Sequence, residues 1–312
     1  MQLRYDEDFI EAAVFLCASG RRKGVPSLQI ARFHREREKL YAILDPDERN
    51  AAFFKLHLDW FREWGLEQPL TDLFKEFPLV REQLGVLAVR KTAGKNDEGA
   101  ELYVNEAAQR TGMLALRLER LVNDAPLRNY LRHEFTHLHD MLNPAFGYSP
   151  ALDLPGLNAA QKRIALERYR LLWDITIDGR LSAAGHAPMQ VREQHAAAFA
   201  RGYSFWPEQR QTETFNSLWE CRAPRHTDFL ALIADPRGLR NAHRPEPGAS
   251  CPLCDFPTFT WADSEALRPE IAVRVTAEFP AWSSEQGLCG RCLETYQAAA
   301  MLGEPPVLAA TT

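Results

Sequence analysis

Residues 131–142, LRHEFTHLHDML, constrain the fold of this chain more than any other segment. Two histidines, His133 and His137, are four positions apart, and Glu134 follows the first of them. On an α-helix this spacing places both imidazoles on one face, where they can bind one Zn²⁺ while the glutamate points toward a water on the metal. Such a zinc lowers the pKa of its water to about 7, and a carboxylate can accept the proton. The segment therefore predicts a helix of the HExxH type, with Glu134 as general base.

The neighbouring residues favour a helix that packs on one side. Asn123 or Asp124 offers an N-cap, Pro126 suits the first turn, and the helix is expected to end before Asn143 and Pro144. An apolar stripe beside the histidines consists of Leu131, Phe135, Leu138 and Leu142. The alternative interpretation is a helix whose two histidines are merely solvated or packed in the core.

A catalytic zinc site of this kind needs a third protein ligand. A second long helix is predicted over residues 158–184, where Asp174 and Asp178 lie four positions apart on one face. One aspartate could bind zinc while the other orients a histidine. Both stand in an apolar run, where an unpaired carboxylate is costly to bury. Glu167 is a more distant candidate, and a solvated acidic face is the alternative.

Other polar side chains near the motif have less specific roles. Asp140 shares the histidine stripe and either orients His137 or lies at a solvated helix end, while His139 points away from it. Stabilisation of a tetrahedral oxyanion depends on geometry, which a single sequence does not contain. The candidates, unranked, are Arg180, His186, Tyr148 and Tyr203.

Four of the six cysteines form two similar CxxC units near the C-terminus, Cys251 with Cys254 and Cys289 with Cys292. Each unit presents two thiolates from one turn, so together they predict a tetrahedral four-cysteine zinc site of structural type. Because 34 residues separate the units, a hairpin or helix is expected between them. Two disulfides or redox pairs are the alternative, but no secretory context favours them.

Periodicity and breaker residues predict an α+β fold that is mainly helical with a small sheet. Helical spacing with repeated aromatics dominates residues 5–75, with interruptions at Pro26, residues 45–48 and Gly65. Three strand-like segments follow, at 84–90, 100–105 and 113–119, and a Pro- and Gly-rich linker is predicted at 235–250. The predicted regions are a helical N-terminal region at 1–78, a domain with the HExxH helix at 79–234, and a zinc-ribbon module at 245–312.

Composition excludes several classes of function. The chain has 312 residues, of which 46% are hydrophobic and 25% charged, as in ordinary globular proteins. A net charge of −5 gives no general attraction to nucleic acid or to membranes. No apolar run is long enough for a membrane helix, and acidic residues stand where a secretory signal would be basic. We therefore expect a cytoplasmic protein without a membrane partner.

Residues 80–190 resemble the zincin metallopeptidases, which carry this helix behind a small mixed sheet. The resemblance implies a zinc-dependent peptidase with a peptide or protein substrate. It also implies that an edge strand, here residues 100–105, pairs with the substrate. The metzincin extension is missing, because no glycine or third histidine follows His137 in register. The third ligand must then come from elsewhere in the chain.

Two further similarities are partial. The segment Trp173–Asp178 is similar to a WNxAxD signature that follows HExxH in some bacterial metallopeptidases, with Asp174 in place of the asparagine and Thr176 in place of the alanine. By that similarity Asp178 is preferred as the third ligand and Asp174 comes second. An HExxH domain followed by a four-cysteine module is also similar to the SprT-like metalloproteases, some of which act on proteins bound to DNA.

Three hypotheses follow from these patterns. The first is a zinc metallopeptidase with one catalytic and one structural zinc ion. The second is a zincin-like scaffold or regulator that binds metal without turnover. The third is an adaptor centred on the zinc ribbon that binds protein or nucleic acid. Nucleic acid is the less favoured partner, because residues 245–312 contain only three basic side chains. The oligomeric state is not predicted.

Overall fold

A computed structural model describes residues 1–94, 97–152, 154, 159–234, 236, 248–262, 267–280 and 282–302 of this chain. The described residues are mainly helical and include one four-stranded mixed sheet, which agrees with the predicted α+β class. They separate into two compact units, Met1–Leu230 and Ala231–Thr312. Most of the predicted linker at 235–250 lies outside the described residues.

Helices make up most of the first unit. They begin with α1 (Glu7–Ala18), α2 (Ser27–Lys39), α3 (Pro46–Glu63), α4 (Gln68–Glu76) and α5 (Pro78–Gln83). After the sheet come α6 (Asp124–Leu142), α7 (Ala159–Ala183), α8 (Arg192–Gly202), α9 (Glu208–Glu220) and α10 (His226–Ala234). Short 3₁₀ helices occupy Leu40–Ala42 and Leu118–Val122.

The breakers seen in the sequence lie at helix boundaries. The N-cap of α3 is Asp45, whose carboxylate accepts a hydrogen bond from the Glu48 N–H, and Pro46 occupies the first helical position. Gly65 follows the end of α3 with a φ of +70°, a left-handed conformation that favours glycine. The interruptions predicted near residues 45 and 65 are therefore the two ends of one helix.

The sheet consists of β1 (Gln2–Tyr5), β2 (Val86–Lys91), β3 (Gly99–Val104) and β4 (Arg110–Leu116), in the order β1-β2-β4-β3. Strand β2 is parallel to both β1 and β4, whereas β3 is antiparallel to β4 and forms one edge. The three predicted strands are confirmed with shifted ends. Strand β1 was not predicted, because four residues are too short for an alternating pattern to stand out.

One core joins the N-terminal helices, the sheet and α6. Its buried members include Phe9, Phe61, Leu87, Leu114 and Phe135. Since β1 pairs with β2, the N-terminal strand belongs to the same sheet as the predicted metallopeptidase domain. Residues 1–78 and the following region thus share one compact unit and one core in this structure.

The second unit contains α11 (Pro269–Glu278), α12 (Gly290–Leu302) and a short 3₁₀ helix at Ser284–Gln286. A hairpin or helix between the two CxxC units was predicted, and the helix α11 occupies that position. The unit has a core of its own, in which the cysteines pack with Ile271, Val275, Trp282, Leu288 and Tyr296. None of the helices in the described part of the chain combines the length and apolarity needed to cross a membrane.

Candidate metal centre

Helix α6 carries the HExxH residues and packs in the core of the first unit. Asn123 is its N-cap residue and Asp124 occupies the first turn, as the sequence predicted, although the Asn123 side chain makes no capping hydrogen bond. The predicted apolar stripe is buried and packs in the core. His133 and Glu134 are also buried, at 7% and 8% exposure, so the helix carries polar groups into the interior. Buried groups of this kind need partners.

The two motif histidines converge on one carboxylate of α7. Asp174 Oδ1 lies 3.1 Å from His137 Nε2 and 3.5 Å from His133 Nε2. Ligand atoms held 2.0–2.2 Å from a tetrahedral zinc ion lie about 3.4 Å apart. The spacing and chemistry of these three side chains therefore fit a divalent metal ion with an open fourth position. The side chain of Asp174 is about one-third exposed (34%), so this position is accessible.

Asp178, one turn further along α7, occupies a different place. Its Oδ1 lies 2.9 Å from Nδ1 of His133, the ring nitrogen opposite the one that faces Asp174. Its Oδ2 accepts from His195 Nε2 at 2.7 Å, and the backbone N–H groups of Met189 and Gln190 donate to its two oxygens. This fully buried carboxylate thus fixes the His133 ring, and its oxygens are already engaged.

The structure places the two predicted aspartates differently around the histidines. Asp178 was preferred as ligand, but its position behind His133 suits the orienting role. Asp174 lies between the two Nε2 atoms and suits the ligand role. His195, on α8, was not predicted at all. Its contact with Asp178 spans 17 residues of chain, and a single histidine outside any motif gives no signal for it.

The close contacts shift the pKa values of His133, Asp174 and Asp178. Burial alone would lower the pKa of His133, but hydrogen bonds from its ring to Asp174 and Asp178 outweigh burial and raise it to about 10. Burial would raise the pKa of each aspartate, yet the hydrogen bonds with the histidines hold both well below the usual range. A metal ion at this position would compete with the proton on His133.

Glu134 faces the open edge of the sheet. Its Oε2 accepts a hydrogen bond of 2.8 Å from the Ala100 N–H, on edge strand β3. Gly99, the residue before Ala100, has a φ of +152°. A Cβ at this position would lie 3.8 Å from Glu134 Oε2. In an antiparallel ladder, alternate residues point their N–H and C=O groups away from the partner strand. The backbone N–H and C=O groups of Leu102 and Val104 therefore point away from β4, as those of Ala100 do.

Asp140 does not contact His137 directly. Its carboxylate accepts from Trp173 Nε1 at 2.8 Å and from two nitrogens of Arg180 at 2.9 and 2.5 Å. The Trp173 ring in turn packs edge-on against His137, with centroids 4.5 Å apart. Burial would raise the pKa of Asp140, but Arg180 and its other donors lower it to about 2. The Trp173 ring therefore contacts both Asp140 and His137, an arrangement that sequence spacing could not indicate.

A cleft of about 740 Å³ opens onto His133, Glu134, His137 and Asp174. Strand β3 contributes Gly99, Ala100, Glu101, Leu102 and Tyr103 to its lining, and Glu98 precedes them. The cleft is also lined by residues between the end of α6 and the middle of α7, namely Met141, Tyr148, Ser149, Pro150, Leu152, Leu166, Tyr169, Arg170 and Trp173. His133, Glu134, His137, Asp174 and the β3 edge therefore line one cleft, whereas Asp178 does not line it.

The remaining candidates lie elsewhere. His139 is partly exposed and packs against Phe77, on a different side of α6 from the motif histidines. Glu167 is exposed on α7. Tyr203 is fully buried, and its hydroxyl has no hydrogen-bond partner among the described residues.

The four cysteines of the second unit also form a compact group. Cys251 Sγ lies 3.9 Å from Cys292 Sγ, and Cys254 Sγ lies 3.8 Å from Cys289 Sγ. Thiolates held 2.3 Å from a tetrahedral zinc ion are about 3.8 Å apart, whereas a disulfide would bring two sulfurs to about 2.05 Å. All four sulfurs lie within 4.8 Å of one another, so the group could hold a metal ion.

No protein-family model, curated protein or solved structure matches this chain. The structure itself shows a long helix with HExxH and an antiparallel edge strand beside the glutamate, and the two histidines with an aspartate of a second helix could hold a metal ion.

Proposed function

We propose that this chain is a zinc-dependent metallopeptidase, with His133, His137 and Asp174 as metal ligands and Glu134 as general base. One observation carries the proposal. Three atoms suited to zinc converge in the wall of a cleft, and the motif glutamate lines the same cleft. Asp174 takes the ligand role for which the sequence favoured Asp178, because its oxygen faces the Nε2 atoms of both histidines.

Zinc at this position would supply a Lewis acid for water and for the peptide carbonyl. Glu134 then accepts one proton from the attacking water, while the water oxygen forms a bond to the carbonyl carbon. As the C–N bond breaks, the same carboxyl group passes the proton to the departing nitrogen. The products are a carboxylic acid and an amine. In the absence of substrate, the Ala100 N–H holds Glu134 at the cleft.

The substrate is proposed to bind as an extended strand along β3. The outward N–H and C=O groups of Leu102 and Val104 can pair with a peptide backbone, as in other cases of strand addition. No described strand occupies that edge of the sheet. A peptide in this position would pass beside Glu134, because the hydrogen bond to Ala100 holds the carboxylate at the start of the same edge.

The cysteine group is proposed to hold a second zinc ion with a structural role. The module that contains it has a small core, and a metal site stabilises modules of this size. Its few basic side chains favour protein contacts over nucleic acid. The chain would then hold two zinc ions.

Metal analysis and proteolysis together test the proposal. We expect two zinc ions per wild-type chain by elemental mass spectrometry, and cleavage of fluorescein-labelled casein. Glu134→Gln should keep both ions and lose cleavage by several orders of magnitude, because the general base is gone. His137→Ala should keep one ion and lose activity. Glu167→Gln, an exposed change on α7, serves as the matched control and should behave as wild type.

Three results would contradict the proposal. Full activity of Glu134→Gln would show that Glu134 is not the general base. Two bound zinc ions without any cleavage would favour the non-catalytic scaffold. A single ion, retained by His137→Ala, would favour an adaptor in which the HExxH helix binds no metal.

A further inference from the structure

Tyr148 lies in the segment between α6 and α7, and its backbone is fixed on both sides. The preceding Phe146 is buried and stacks on Trp173 at 5.1 Å. The His226 N–H donates to the Phe146 carbonyl at 2.8 Å. Gly147 has a φ of +70°, so the chain turns sharply between Phe146 and Tyr148. This turn sends Tyr148 to the cleft while its neighbour stays in the core.

One aromatic ring, that of Trp173, lies between Tyr148 and His137. The ring of Tyr148 packs 5.7 Å from Trp173 and 6.0 Å from the ring of His226. Because Trp173 itself packs against His137, a continuous row of rings connects Tyr148 to the metal centre. Tyr148 is half-buried, and it lines the cleft together with His133 and Glu134.

The hydroxyl of Tyr148 is available for substrate. None of the described residues forms a hydrogen bond with it. Burial and the nearby Glu101 carboxylate raise the pKa of the phenol, so it keeps its proton and can donate. The nearby Tyr169 differs, because its hydroxyl is 2.6 Å from His226 Nδ1 and is therefore engaged.

The other candidates named from the sequence do not offer a free donor in the cleft. Arg180 is committed to the buried Asp140 carboxylate. Tyr203 is buried among aromatic rings of α8, and neither it nor His186 lines the cleft as the structure describes it. Of the four, Tyr148 alone combines a place in this cleft with a free donor.

We propose that Tyr148 is a catalytic residue whose hydroxyl donates a hydrogen bond to the carbonyl oxygen of the substrate as that oxygen gains negative charge. The proton stays on the phenol, and no bond to Tyr148 forms or breaks. Donors aimed at a developing oxyanion strengthen in the transition state and therefore act mainly on kcat. This inference rests on the proposed function, since it assigns a role within the same reaction.

The test compares Tyr148→Phe with Tyr203→Phe, which removes a hydroxyl outside the cleft. Both variants are loaded with zinc and assayed on a quenched fluorescent peptide taken from the best-cleaved bond of casein. For Tyr148→Phe we expect kcat to fall about 100-fold with KM changed less than threefold. A phosphinic peptide of the same sequence mimics the tetrahedral centre, and its affinity should fall by a similar factor. Tyr203→Phe should keep wild-type values.

Zinc content and thermal midpoint should be the same in wild type and in Tyr148→Phe. Equal kcat in these two proteins would overturn the inference. A lower kcat with unchanged phosphinic affinity would also overturn it, because the hydroxyl would then act on folding or on the ground state. If the zinc-loaded wild type cleaves nothing, the proposed function fails and this inference fails with it. If the wild type cleaves the peptide and Tyr148→Phe has the same kcat, only this inference fails and the metallopeptidase proposal stands.

Discussion

Asp178 Oδ1 lies 2.9 Å from His133 Nδ1, so this buried carboxylate binds the side of the imidazole that is turned away from Asp174. With Nδ1 donating to Asp178, the lone pair of the ring is directed through Nε2 toward the candidate metal position. The same carboxylate accepts from His195 and from two backbone N–H groups. Under the proposed assignment, helix α7 supplies both a metal ligand, Asp174, and the support for another, His133, from positions one helical turn apart.

This arrangement predicts different metal affinities for two aspartate variants. Asp174→Ala removes a direct ligand and should abolish zinc binding at this site. Asp178→Asn disturbs only the support of His133 and should weaken zinc binding about 10- to 100-fold. Competition with a chromophoric chelator measures both affinities. The opposite order of effects would show that Asp178, and not Asp174, binds the metal.

The ion pair of Asp140 with Arg180 predicts a pH-dependent contribution to stability. The pKa of Asp140 is lowered from 3.8 to about 2, so its charged form stabilises the fold by about 2 kcal/mol at neutral pH. This contribution is present above the unfolded pKa and is lost as the pH falls from about 4 toward 2. We expect Asp140→Asn to lower the free energy of unfolding at pH 7, and the difference from wild type to shrink below pH 4.

Urea denaturation of the wild type and of Asp140→Asn at several pH values between 7 and 3 measures this difference. Arg180→Lys is a useful companion, because it keeps the charge but loses the two-nitrogen contact with the carboxylate. A difference that stays constant down to pH 3 would mean that the charge of Asp140 contributes nothing.

Gly179 predicts a steric limit next to the candidate metal centre. A Cβ at this position would lie 2.1 Å from the Trp219 carbonyl oxygen, so α7 and α9 can only pack this closely with glycine. Gly179→Ala should push the helices apart and destabilise the protein by about 1–3 kcal/mol. It should also weaken zinc binding, because Asp178 is the adjacent residue.

Gly202→Ala is the matched control for this substitution. Its added Cβ would meet Leu171 at 3.5 Å, an ordinary contact, and we expect an unchanged or slightly higher thermal midpoint. If differential scanning calorimetry gives the same midpoint for Gly179→Ala and wild type, the close packing of α7 on α9 is incorrect.

Loss of one cysteine is predicted to affect only the second unit. Cys254→Ser removes one of four thiolates, so this unit should lose its zinc and its fold, while Met1–Leu230 keeps its own core. Hydrogen exchange should become fast in α11 and α12 but stay slow in α6. Fast exchange in α6 as well would show that the two units do not fold independently.

The residues of HExxH and CxxC were identifiable from the sequence because their chemistry depends on local spacing. A four-residue interval on a helix places His133 and His137 together wherever that helix lies. Two intervening residues in a turn likewise bring the thiol groups of Cys251 and Cys254 close together. The position of α6, the edge strand and the second helix also followed from local patterns of apolar residues and breakers.

Only the tertiary structure determined which residues from distant parts of the chain contact these motifs, and at which atoms. Asp174 and Asp178 are equivalent in sequence spacing, and only the packing of α7 on α6 places one at the Nε2 atoms and the other at Nδ1. The contacts of His195 with Asp178 and of Asp140 with Arg180, and the place of Tyr148 in the cleft, likewise depend on the packing of separate elements. Local spacing fixes which groups lie on one helical face, but contacts between helices depend on the folding of the whole chain.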